Sequence, residues 1–212
     1  MTNQDYKNTA LAALKGNWAP AVLASVFYIL VLLIFQVPAQ MPQFASLPLN
    51  AMTWVMGGST LAMLLFVMPL AFGFLNAFRK LLDDGDNAVL GNSFRLGFTR
   101  YLHTILTMVF MGLKTFLWTL LFIIPGLVMA FAYAMTPYVM MDHPELSAWE
   151  ASKVSRQMMK GHKFDLFYLE LSFIGWDILS ILTLGIGMFW LTPYMMTSMA
   201  AFYNDIKKTA DN

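Results

Sequence analysis

The sequence predicts an all-α membrane protein: a bundle of about six transmembrane helices arranged as three hairpins and joined by short amphipathic cytoplasmic helices. Three observations carry this reading. The stretches Tyr101–Met141 and Phe164–Tyr203 are each about forty residues of nearly unbroken apolar sequence, about twice the ~20 residues that cross a hydrocarbon core. Each breaks near its middle at a turn signal, Ile124-Pro125-Gly126 in the first and Thr183-Leu184-Gly185-Ile186-Gly187 in the second. Finally, twelve of the thirteen basic residues fall in alternate connections of a six-span layout, and cytoplasmic loops are the ones that collect Lys and Arg.

Taken in order, the spans cover about 18–37, 54–78, 101–124, 126–141, 164–182 and 187–203, within one polytopic domain over residues 1–212. The first has an apolar core longer than the ~7–15 residues of a signal-peptide core, so it reads as a retained span. The fourth and sixth are the shortest of the set. With a helical rise of about 1.5 Å per residue, they cross a thinned bilayer or follow a shallow re-entrant path. Lys7 and Lys15 precede the first span, and Arg79, Lys80, Arg95 and Arg100 lie between the second and third. Lys153, Arg156, Lys160 and Lys163 lie between the fourth and fifth, and Lys207 and Lys208 follow the sixth. The opposite connections, Pro38–Thr53, Pro125 and Thr183–Ile186, carry no basic residue. Both termini are therefore expected in the cytoplasm.

The cytoplasmic connections carry helix signals. Ser147-Ala148-Trp149-Glu150 has the form of a capping box and opens a helix to about Lys160, with hydroxyl and carboxylate each serving the other's amide. Lys15-Gly16-Asn17 and Lys160-Gly161-His162 each close a polar helix just before a span, since glycine permits the left-handed residue that ends a helix. Met68-Pro69-Leu70, Thr136-Pro137-Tyr138 and Thr192-Pro193-Tyr194 occupy the second limb of successive hairpins. The unit of cytoplasmic helix, glycine stop, span, outer turn and proline-containing span is thus used three times.

Composition bounds function. Of the residues, 58% are apolar and 12% charged, with 13 Lys and Arg against 12 Asp and Glu. No basic excess draws the chain to nucleic acid. There is no cysteine, hence no disulfide, thiolate metal site or cysteine nucleophile. No glycine-rich phosphate loop or Gly-x-Ser-x-Gly nucleophile turn occurs. Asp83-Asp84-Gly85-Asp86 lacks the alternating ligands and later glutamate of a calcium loop and reads as a solvated turn. His103, His143 and His162 share no ligand spacing, and the 18 methionines read as packing residues among helices. Neither an enzyme nor a cofactor-binding protein is expected, and no metal site.

Several ordered motifs carry a family resemblance. The run Leu117-Trp118-Thr119-Leu120-Leu121-Phe122-Ile123-Ile124-Pro125-Gly126 is followed by Ala132-Tyr133-Ala134-Met135-Thr136-Pro137-Tyr138. Ser155-Arg156 with Met159-Lys160-Gly161, then Leu171-Ser172-Phe173-Ile174-Gly175-Trp176 and Leu182-Thr183-Leu184-Gly185-Ile186-Gly187 continue the series. Pro193-Tyr194 and Ala201-Phe202-Tyr203 complete it. Together they resemble the bacterial membrane family called "domain of unknown function 975", densely from about Leu117 to Asp205 and more thinly from Ala10. The resemblance implies a polytopic inner-membrane protein and brings no activity with it. Asp177 stands where the family pattern leads us to expect an uncharged residue.

Charges inside spans are the remaining candidates. Lys114 sits eleven residues before Pro125, and Glu170 and Asp177 are seven apart, two turns of one helix and so on one face. Charges at mid-membrane cost enough to mark function by default. Lys114, Glu170 and Asp177 are therefore the candidate intramembrane polar cluster. Two functions follow: a non-enzymatic membrane component that contacts the bilayer and a membrane-protein partner or second copy, or a small transporter or channel-like protein with this cluster at its centre.

Overall fold

The computed structural model describes residues 1–36, 48–121 and 123–210. All of the regular structure among them is helical. The helices are α1 (Asn3–Leu14), α2 (Trp18–Gln36), α3 (Leu49–Ala62), α4 (Met68–Asp84), α5 (Val89–Phe98) and α6 (Tyr101–Leu121). They continue as α7 (Ile123–Tyr133), α8 (Thr136–Asp142), α9 (Ala148–Met158), α10 (Lys163–Leu171), α11 (Ile174–Leu182) and α12 (Met188–Ala210). Among the described residues four segments have the length and apolarity to cross a membrane: Trp18–Phe35, Leu49–Asp84, Tyr101–Leu120 and Ile124–Asp142. The turn between the first and second falls mostly in 37–47, outside the described residues.

The second span is longer than the sequence suggested. It begins at Leu49 and runs 36 residues to Asp84, with a wider π-helical turn at Met63–Val67 joining α3 to α4. Pro69 explains the turn. It has no N–H for the carbonyl four residues back and its ring crowds that carbonyl. The freed Leu65 carbonyl accepts the Tyr101 hydroxyl at 2.7 Å, so the first residue of α6 repairs the helix that proline disturbs.

Two expected spans are divided. The segment 126–141 breaks at Ala134-Met135 between α7 and α8, because Pro137 has no N–H to continue the preceding helix's ladder and suits the first turn of a new one. The segment 164–182 is two nine-residue helices, α10 and α11, parted at Ser172-Phe173. The Ser172 carbonyl, left outside the helical ladder, accepts Lys7 Nζ from α1 at 3.0 Å. Neither residue of this second break is proline or glycine, and it is read only from the tertiary contact.

The helix signals of the connections hold. Ser147 Oγ accepts the Glu150 amide while Glu150 Oε2 accepts the Ser147 amide at 2.9 Å, and Thr2 and Asp5 make the same reciprocal cap on α1. Gly16 and Gly161 both adopt left-handed backbone, φ +85° and +93°. The helix α5 was not foreseen. It folds back on α4 so closely that a Cβ built on Gly73 would lie 1.8 Å from the Ser93 carbonyl oxygen, and one on Gly97 2.2 Å from that of Pro69. Small residues permit such backbone approach between helices.

The main core gathers Tyr6 of α1, Met135, Tyr138 of α8, Met159, Leu166 and Phe173, with Phe202 and Tyr203 of α12. The outward faces of α2, α3, α6, α7 and α11 are apolar and exposed: Leu30, Trp54, Leu113, Leu127 and Ile178 are examples. The molecule therefore keeps a packed centre and turns large side chains outward, as a bilayer permits and water does not.

Candidate ion-paired site on α4, α8 and α12

Three helices meet around one carboxylate. Arg79 lies at the buried face of α4, and Asp142 is the last residue of α8. Arg79 Nη1 is 2.6 Å from Asp142 Oδ1, while Lys207 Nζ and the Tyr203 hydroxyl each lie 2.7 Å from Asp142 Oδ2. Tyr203 and Lys207 are four residues apart on α12 and therefore share a face. Arg79 Nε also reaches Asp83 Oδ2, one turn on, at 3.2 Å, and Asn204 Nδ2 donates to the other oxygen of Asp83. The Arg79 guanidinium stands 4.7 Å from the centre of the Tyr203 ring. Tyr203 in turn stacks on Tyr138 at 5.0 Å.

The side chains of Arg79 and Asp142 are only 11% and 14% exposed. Buried charges persist when paired and hydrogen-bonded, and here Asp142 receives donors on both oxygens. The carboxylate is thereby a structural anion clamping α4 and α12 to the end of α8. Beside it lies a cavity of about 400 Å³ lined by His143, Gln157, Tyr203 and Lys207 with apolar neighbours from α8 and α9. The Tyr138 hydroxyl is buried without a hydrogen-bond partner.

A second polar contact ties α1 to α12. The Tyr6 hydroxyl donates to Asp205 Oδ2 at 2.7 Å, and the terminal ammonium approaches the same oxygen at 3.1 Å. Burial works against ionisation of Asp205, yet these two donors outweigh it and hold its carboxyl below the usual range. Burial, with the neighbouring carboxylate, pushes the Tyr6 phenol up. In the Asp83–Asp86 turn, Asp86 takes Lys80 Nζ at 2.8 Å and the Ala88 amide at 3.0 Å. The Lys80 ammonium is the leading reason that its carboxyl too lies below the usual range.

The residues singled out from the sequence lie on three different helices, α6, α10 and α11. Lys114 Nζ donates to Ser152 Oγ of α9 at 3.0 Å and stands 4.4 Å from the Tyr133 ring, 4.5 Å from Trp149 and 5.2 Å from Phe110. Its charge is met by ring faces and a hydroxyl. Glu170 lies on α10 and Asp177 on α11, so the break at Ser172-Phe173 removes the single stripe expected for them. Among the described residues Lys114 forms no ion pair with either. Of the histidines, His143 Nδ1 faces Glu145 at 3.3 Å and His162 Nδ1 faces Asp165 at 3.0 Å. Among the described residues no group of three or more His, Cys, Asp or Glu is placed to hold a metal ion.

Residues 120–210 match a family model described as a protein of unknown function, DUF975. The family that the sequence motifs resemble is the one matched. Asp142, Tyr203 and Lys207 fall inside the DUF975 stretch, whereas their partner Arg79 precedes it. No curated protein and no solved structure gives a match to the chain. Sequence reading took Arg79 and Lys207 as markers of sidedness. Nothing in their wide separation from Asp142 along the chain announces a partnership, although a cation directly after Phe78 in an apolar run was a usable hint.

Proposed function

We propose that this protein is a non-enzymatic component of the bacterial inner membrane, a helical scaffold whose contacts are with lipid and with a membrane-protein partner or a second copy of itself. Its cation-rich connections and both termini lie in the cytoplasm, and its apolar helices enter the bilayer from that side as three hairpins. The observation that carries the reading is that Arg79, Asp142, Lys207 and Lys114 are each held by packed neighbours. Arg79, Asp142 and Lys207 satisfy one another, and Lys114 is boxed by rings and Ser152. Such groups bind helices together and leave no positioned nucleophile and base. The outward apolar faces supply the membrane contact.

A transporter would need a polar centre joining Lys114, Glu170 and Asp177, and the geometry offers that reading no support. Proteoliposomes test the choice. Vesicles carrying the protein should pass protons and small cations no faster than empty ones. A flux that disappears in Asp177→Asn would overturn the scaffold in favour of the transporter. Alkaline carbonate extraction tests membrane residence separately: the chain should stay in the pellet, and release into the supernatant would contradict insertion.

A further inference from the structure

We propose that the groove between α1, α11 and α12 is a binding site for an anionic phospholipid, which lays an acyl chain against its tryptophans and sets its phosphate beside lysines of α1. The groove is a cavity of about 460 Å³, walled by Leu11, Trp18, Trp176, Leu179, Trp190 and Tyr194. That volume is in the range of small-molecule sites, which are mostly apolar with few polar groups. Trp176, Leu179 and Trp190 are about half exposed, so apolar surface is left open there without a protein partner.

The two aliphatic hydroxyls of the groove are already spent. Ser180 Oγ donates to the Trp176 carbonyl at 2.8 Å, and Thr183 Oγ1 donates to the Ser180 carbonyl at 2.9 Å while accepting the Gly187 amide at 3.1 Å. What remains facing an occupant is mostly hydrocarbon and ring, which suits an acyl chain. Tryptophan and tyrosine also favour the boundary between hydrocarbon and headgroup.

Charge selects the headgroup. Lys7 and Leu11 lie one turn apart on α1, and Lys15 caps its C-terminus four residues further on, so the leucine in the groove wall has a lysine to either side of it along the chain. Lys7 Nζ is held at the Ser172 carbonyl and 4.3 Å from the Phe173 ring, and Phe173 packs edge-on against Tyr194 of the wall at 5.1 Å. Lys15 is exposed, and its ammonium makes no hydrogen bond or ion pair among the described residues. A membrane-facing cleft with cations along one rim fits a lipid phosphate that bears net negative charge. Asp177 follows Trp176 but does not line the groove.

The inference rests on the reading that the chain sits in a bilayer, which carbonate extraction tests independently. The test here uses the full chain purified in mild detergent, with retained lipid counted by native mass spectrometry. The probes are phosphatidylglycerol and phosphatidylcholine with identical acyl chains, with inorganic phosphate as competitor. Wild type should retain one phosphatidylglycerol in preference to phosphatidylcholine, and Lys15→Gln should weaken that preference about fivefold. Trp176→Ser, a change at an exposed wall residue, should reduce retention of both lipids while thermal unfolding shows the fold intact. Equal retention of the two lipids by wild type, or unchanged phosphatidylglycerol retention in folded Trp176→Ser, would overturn the proposal. Displacement by inorganic phosphate alone would overturn the acyl-chain contact, and a dimer that excludes lipid would assign the groove to a second copy.

Discussion

Arg79 Nη1 lies 2.6 Å from Asp142 Oδ1, joining α4 to the end of α8 although the two residues are far apart in sequence. Removing one member of a buried pair strands the other, typically at about 3–5 kcal/mol. Asp142→Asn should therefore lower the thermal stability of the purified protein sharply, while Arg79→Met with Asp142→Leu should recover much of the loss. A cycle in which the two changes add within about 0.5 kcal/mol would show that the residues do not depend on each other.

The packing of α5 on α4 gives a second expectation. A methyl on Gly97 would meet the backbone of Pro69 at 2.2 Å, and one on Gly73 that of Ser93 at 1.8 Å, where no side chain can give way. Gly97→Ala and Gly73→Ala should each destabilise by about 1–3 kcal/mol or more. Gly91→Ala, on the same helix as Gly97 with open space at its Cβ, should be neutral or slightly stabilising through helix propensity. Denaturation midpoints of the three variants check this, and equal midpoints for Gly91→Ala and Gly97→Ala would refute the close contact.

Lys114 bears on the choice between scaffold and transporter. Lys114→Met should couple to Trp149→Leu, whose ring lies 4.5 Å from Nζ, by about 0.5–1 kcal/mol. Lys114→Met and Asp177→Asn should be additive within about 0.5 kcal/mol. Strong coupling to Asp177 would restore the polar-centre reading.

These contacts mark where sequence was informative. Capping boxes and glycine stops were legible at Ser147 and Gly161 because each acts through its own neighbours along the chain. The all-helical class and the apolar segments followed from composition and run length. The break at Ser172-Phe173 was not legible, because it is stabilised by Lys7 from α1. That break puts Glu170 and Asp177 on separate helices, which the assumption of one straight helix did not allow for. Arg79 and Asp142 were legible as charges but not as partners, since pairing over such separation has no local signature. The helix α5 was hidden because its register is set by contact with α4 rather than by caps: Ala88 makes no side-chain cap.

The contact between Tyr6 and Asp205 predicts a pH dependence. Asp205 titrates lower in the folded protein than in the unfolded chain, so its contribution is complete above the unfolded-state value near 4. It is lost as pH falls through the lower folded-state value. Stability of wild type should drop on acidification from about pH 5 to pH 3 more steeply than that of Asp205→Asn, as read by thermal unfolding. Identical profiles would remove Asp205 from the effect.

Sidedness is the most direct test of the membrane scaffold, and the absence of cysteine gives a clean background. Single cysteines at Gln40 or Gln43, in the stretch outside the described residues, should react with an impermeant thiol reagent added to intact cells. Cysteines at Asp84, Lys153 and Asn204 should react only after the membrane is opened. Lys153 is chosen over its buried neighbour Ser152, which sits beneath Lys114 and would hide a label for reasons unrelated to topology. Labelling of Gln40→Cys and Gln43→Cys alone from outside is the predicted result, and labelling of Lys153→Cys in intact cells would contradict it.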